Sequence, residues 1–211
     1  MEALQSLISP AIYNLWLTYV DKQERGLKKE TSSALSKLIT ELKQLETKLL
    51  TKIVFVFTDY HREETIKIDF RLFQEILFPV LLAEVKKNTL TANRRLAQFD
   101  QFLLTNQKLF QQLKKQLNYI QDYFEPIDFY KKEIELNSKD NIAVEGYLTQ
   151  LANKFNHYTH ELPDFGLLCE IEVFTKDFND FKEIVSLSNE KEKWSIFIQN
   201  WELIKEEYKN D

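Results

Sequence analysis

Residues 94–124, RRLAQFDQFLLTNQKLFQQLKKQLNYIQDYF, carry the longest unbroken hydrophobic pattern in the chain. Leu96, Phe99, Leu103, Asn106, Phe110, Leu113, Leu117, Ile120 and Phe124 alternate in steps of three and four, the spacing of a heptad seam. The pattern predicts one continuous helix, about 43 Å long at about 1.5 Å per residue. Phe102, Leu109 and Tyr123 flank the seam and widen it enough to contact two neighbouring helices. Asn106 is the exception among nine positions. An amide inside an apolar seam costs stability unless hydrogen-bonded, and its characteristic use is to set register and partner number. A wet position at the helix edge is the equally weighted alternative.

Working outward, similar patterns recur. Ser9 followed by Pro10 reads as an N-cap and first helical residue, opening a helix through Ile12, Leu15 and Tyr19 that ends near Gly26. Thr31-Ser32 offers a second start, after which Leu35, Leu38, Leu42, Leu45 and Leu49 form a seam. Residues 71–87 are apolar on nearly all sides, as in a buried helix, with Pro79 bending it. Glu125-Pro126 breaks the chain before a short helix with Ile127, Tyr130 and Ile134. Val144, Leu148, Leu151, Phe155, Tyr158 and Leu162 make a further seam. A final helix over 190–208, announced by Asn189 and Glu192, carries Trp194, Phe197, Trp201, Ile204 and Tyr208.

Three stretches read differently. KIVFVFT (52–58) is β-branched and aromatic, while TIKIDF (65–70) and LLCEIEVF (167–174) alternate apolar with polar residues. The first two predict a β-hairpin and the three together a small sheet, with continuation of a helix through 53–57 as the alternative. Only 3 Gly and 4 Pro in 211 residues leave few turns, which favours long helices. The expected fold is therefore mainly α: a multi-helix bundle with long heptad-patterned, coiled-coil-like helices and a possible small β element, in a single domain spanning 1–211.

Charge is unevenly placed. Residues 1–125 hold 18 Lys/Arg against 15 Asp/Glu, whereas 126–211 hold 10 against 18. Cys169 stands alone, which excludes an intramolecular disulfide and a cysteine-based zinc site and points to a reducing cytoplasm. The N-terminal stretch has Glu2 where a secretory signal needs a basic region, and ILFPVLLAEV is about half the roughly 20 residues that cross a bilayer. No membrane association is expected.

Catalytic motifs are scarce. The glycines at 26, 146 and 166 are single, so neither a P-loop nor a dinucleotide fingerprint occurs, and there is no Gly-x-Ser-x-Gly elbow. His61, His157 and His160, one histidine early and two close together later, give an arrangement similar to the metal-dependent four-helix bundles of the DinB type. That family pairs the later histidines four apart; here they are three apart and fall off the line of Phe155, Tyr158 and Leu162. A metal-dependent enzyme using these three histidines is thus a minor alternative, and no cofactor motif is found. Lys86, Lys87, Arg94 and Arg95 bracket one short helix–helix connection and define the candidate for nucleic-acid contact.

The leading expectation is a non-enzymatic helical protein that acts through protein–protein interaction, as an adaptor or regulatory module, or by self-association. Asn106, Trp194 and Trp201 are its candidate interaction residues, with the basic connection near 86–95 supporting the nucleic-acid alternative.

Overall fold

A computed structural model describes residues 2–63, 66–162 and 166–208. Two compact units are present, Met1–Phe124 and Glu125–Asp211, and the described residues form helices and connections, with no strand among them.

In the first unit, α1 (Glu2–Gln5) precedes α2 (Pro10–Glu24), α3 (Lys28–Leu42) and α4 (Thr47–Arg62). The Ser9 side chain accepts from the Ile12 amide, satisfying a first-turn donor with Pro10 at the position that needs none. The chain leaves α2 through Gly26, whose φ of 68° lies in the left-handed region, and α3 folds back against α2. Leu35, Leu38 and Leu42 are buried, but the leucine seam stops there, because a turn at 43–46 separates α3 from α4.

The expected hairpin is not formed. Residues 52–58 lie inside α4, where Ile53, Val54, Phe57 and Tyr60 are buried at helical spacing. Phe57 stacks on Trp16 with centroids 4.4 Å apart, so tertiary packing overrides the strand preference of a β-branched run. Residues 64 and 65 lie outside the described residues; from 66 the chain is an irregular connection that buries Ile66 and Ile68 and exposes Lys67, so the alternation is real but pairs with no strand. Asp69 ends it by accepting from the Arg71 amide. The third strand candidate, 167–174, is a connection to Glu170 followed by the start of α12 (Ile171–Val185).

The buried run then begins as α5 (Phe70–Leu72), widens into a π turn over Phe73–Leu77 and continues as α6 (Phe78–Lys86). Pro79 explains the widening. Its ring crowds the carbonyl of Glu75 and supplies no amide, while the Phe78 amide reaches back five residues to the Phe73 carbonyl. After a connection with Asn88 and Thr91 at φ 55° and 72°, α7 (Ala92–Ala97), α8 (Asp100–Thr105) and α9 (Gln107–Leu117) follow.

The single long helix expected over 94–124 is therefore three short ones, and Asn106 is the reason for one break. At φ −121° and ψ 93° it is extended, and its side-chain oxygen accepts from the Leu109 amide at 3.1 Å as the N-cap of α9. It punctuates the chain instead of pairing across a seam. Asn118, at φ 52°, closes α9 from the other end with its amide on the Lys114 carbonyl. Beyond it Ile120 is 85% exposed while Phe124 is buried, so the seam does not continue as one buried line.

The second unit holds α10 (Pro126–Leu136), α11 (Asn141–Thr159), α12 and α13 (Lys191–Glu207). Gly146 allows α10 and α11 to approach closely: a Cβ there would lie 2.3 Å from the ring of Tyr130. Asp140 caps α11 through the Ala143 amide. Phe155 is the hub, with ring centroids of Phe174 at 5.0 Å and Trp201 at 4.2 Å.

Because Asn106 acts on α9's own amides, Asn106→Ala should cost about 1 kcal/mol in urea denaturation and Asn106→Asp much less. Light scattering of Asn106→Leu should return the wild-type mass; a changed mass would restore the partner-number reading.

Candidate functional site

In the first unit the polar chemistry converges on Arg95. This side chain is only 6% exposed, and α7 holds it against the inner side of α4. Its guanidinium donates to both carboxylate oxygens of Asp59, at 2.8 and 3.0 Å, a bidentate pair. Further donations go to the Phe55 carbonyl at 2.6 Å, to the Thr58 hydroxyl, and through Nε to the Thr91 hydroxyl at 3.0 Å. The charge also lies 4.6 Å from the Phe55 ring centroid. Burial pulls the Arg95 pKa below its ordinary value, and Asp59 offsets part of that pull. Thr91 reaches its place in left-handed backbone, an unfavourable conformation for a β-branched residue, which the packing around it must sustain.

Arg94 is likewise buried, at 5% exposure. The two arginines therefore face the protein interior, and of the four basic residues singled out in the sequence only Lys86 and Lys87 are exposed. Lys87 pairs with Glu84 at 2.6 Å. Glu84 is itself buried; burial alone would raise its pKa, but hydrogen bonds from Lys87 and Thr89 hold it below the ordinary value.

The three histidines are divided between the units. His61 stacks on Phe99 with centroids 4.7 Å apart, and burial lowers its pKa. His157 and His160 stack on each other at 5.6 Å, and His160 Nε2 meets Glu161 at 2.7 Å. Among the described residues no group of three or more His, Cys, Asp or Glu side chains is arranged to hold a metal ion.

Two polar clusters organise the second unit. Glu145, on α11, receives the Ser188 hydroxyl and the Trp194 indole N–H, the latter at 2.9 Å, which ties α13 to α11. Asp177, on α12, accepts from the Tyr158 hydroxyl at 3.0 Å and meets Lys154 at 2.8 Å. Burial, reinforced by Asp177, pushes Tyr158 up to about 12, so it remains a donor. For Lys154 burial works the other way, yet hydrogen bonding to Asp177 and Tyr158 prevails and raises its pKa. Cys169 is free and half-buried, its pKa raised first by burial and then by Asp177.

Trp194 and Trp201 are 2% and 4% exposed and belong to the core of this unit. The exposed apolar residues of α13 are Ile196 at 62% and Leu203 at 72%, seven apart on one stripe. The sequence reading passed over both because it followed the tryptophan stripe; their spacing alone could have identified a second one. Asp59, Glu145 and Asp177 were missed as well, since no local motif marks a carboxylate that pairs with a residue tens of positions away.

Grooves at the surface are open. One of about 380 Å³ lies between the α2–α3 turn and Asp69-Arg71, and another of about 290 Å³ between Thr47-Leu50 and Pro79-Ala83. No described helix is long and apolar enough to cross a membrane. No family model, curated protein or solved structure matches this chain.

Arg95→Leu, which leaves the part-exposed Asp59 without its bidentate partner, should destabilise by about 3 kcal/mol in chemical denaturation; a change under about 1 kcal/mol would show that the pair is dispensable. His61 carries a pH signature. Its folded pKa lies below that of the unfolded chain, so the unfolded state takes up a proton first and stability falls as pH drops below the ordinary histidine value. Between about pH 7.5 and about pH 5.5, wild-type melting should fall more than that of His61→Phe, which keeps an aromatic ring beside Phe99; equal falls would remove His61 as the source.

Proposed function

We propose that this chain acts without catalysis, by binding another protein or a second copy of itself through exposed helical faces. The observation that carries this reading is the placement of solvent-exposed apolar side chains. Ile196 and Leu203 share a stripe on α13, and Ile120 and Tyr123, at 85% and 60% exposure, follow α9. Scattered exposed apolar residues are ordinary on a protein surface. A pair in register on a helix whose opposite face is already anchored is a docking pattern.

The polar clusters support the same reading by being internally occupied. Arg95 is spent on Asp59, Glu145 on Ser188 and Trp194, and Asp177 on Tyr158 and Lys154. A nucleic-acid interface at 86–95 would have to rest on Lys86 and Lys87, with both arginines buried.

Chemical crosslinking in the cells that make the protein, followed by sizing with an antibody to the chain, tests the proposal. Wild type should yield defined species above 25.3 kDa, and the folded Ile120→Ser/Tyr123→Ser/Ile196→Ser/Leu203→Ser variant should lose them. Light scattering of the purified chain across a concentration series then separates self-association from binding to another protein. A wild type that gives only its monomer mass in both experiments would overturn the reading.

A further inference from the structure

Helix α13 has two faces that differ in charge as well as in burial. The inner face is anchored by Trp194 and Trp201, one turn-pair apart. Lys193 and Lys205 are drawn toward that side: Lys193 lies 4.5 Å from the Trp194 ring centroid and 2.9 Å from Glu190, and Lys205 lies 5.8 Å from the ring of Phe178. At about 100° per residue, Ile196 and Leu203 fall directly opposite the tryptophans. Glu192, Glu206 and Glu207 flank them, all exposed, with Ser195, Gln199 and Asn200 completing the face. Glu202 stands at its margin and reaches Lys182 at 3.4 Å. By the same geometry Lys191 and Lys205 fall on the tryptophan side, while the exposed Lys193 sits at the margin of the outer half, across the stripe from Glu206, where it pairs with Glu190.

Segregation of this kind selects a partner. The two aliphatic side chains, about 10 Å apart along the axis, suit the i to i+7 repeat of an opposing helix. The surrounding carboxylates raise the local negative potential, so a stripe edged with acidic residues is repelled and one edged with basic residues is drawn in. We propose that the outer face of α13 docks an amphipathic helix of a partner protein whose apolar stripe is bordered by lysine or arginine. This rests on the interaction reading above and adds the chemistry of the partner and the place where it binds.

The test uses the full chain and two fluorescently labelled helical peptides, one built of leucine and lysine and the other with every lysine replaced by glutamate, read by anisotropy at physiological salt. The leucine–lysine peptide should bind and the leucine–glutamate peptide should not. Ile196→Ser/Leu203→Ser, checked for wild-type circular dichroism and melting, should weaken binding about tenfold or more. Glu192→Gln/Glu206→Gln/Glu207→Gln should weaken it several-fold and steepen its loss with salt less. Glu170→Gln/Glu172→Gln/Glu183→Gln, the same charge removed from exposed positions in the same unit, should change it less than about twofold. Binding that ignores the Ile196/Leu203 change, equal effects of the two glutamine triples, or preference for the acidic peptide would each overturn the proposal. So would a wild-type dimer that the serine pair dissociates while neither peptide binds, since the occupant would then be a second copy. If neither peptide binds but the crosslinked species persist, the partner chemistry is wrong while the interaction reading stands.

Discussion

A helix that begins inside a packed unit has to satisfy the amides of its first turn, and in this chain that demand cuts the longest hydrophobic pattern at Asn106. With only 3 Gly and 4 Pro available, much of the work falls to short polar side chains. Ser9, Asp69, Asn106 and Asp140 each turn an oxygen onto an amide two or three residues ahead. Each stands at the start of a helix, of α2, α5, α9 and α11 in turn. Once Asn106 caps α9, the residues on either side of it no longer share one axis, so Leu103 and Phe110 are buried by different helices.

The distinction bears on what was legible in the sequence. Spacing in threes and fours identified the buried residues of α3 and α11, because periodicity reports the face of a helix. It does not report continuity: a short break that preserves the phase leaves the pattern intact, as at 43–46 and at Asn106. The strand readings failed for a related reason. In KIVFVFT the residue types favour a strand, but Ile53, Phe57 and Tyr60 also lie three and four apart, and contact with Trp16 decides between the two descriptions. That contact spans 41 positions and leaves no local trace.

Charged residues show the same division. A pair such as Arg94-Arg95 reads as a surface feature because lysine and arginine are mostly exposed. Here Arg95 crosses to Asp59, one residue past the stretch 52–58 expected as a strand, and the partner is invisible until α4 exists. Burying such a charge is costly, and the five donations that Arg95 makes to Asp59, Phe55, Thr58 and Thr91 are what make it tolerable. The histidines follow suit: His61 is fixed by its stack on Phe99, and His160 by His157 and Glu161, so their chemistry is committed locally. Of the residues singled out in the sequence, Arg94, Arg95, Trp194 and Trp201 are buried in the fold.

The final helix reverses that logic. Its tryptophans, the residues most readily taken for an interaction surface, are structural: the Trp194 indole donates to Glu145 and Trp201 packs on Phe155 and Phe181. Large aromatic anchors on one side can hold a helix in place while leaving the other side with no structural task. The outer face of α13 nevertheless carries isoleucine and leucine, where exposure gives no folding benefit, flanked by Glu192, Glu206 and Glu207 with Lys193 at its margin. A surface shaped only by solubility would intersperse both signs and omit the aliphatic pair. The combination of an anchored inner face and an apolar, mainly acidic outer face is the strongest reason to look for function on this helix and not in the buried polar clusters.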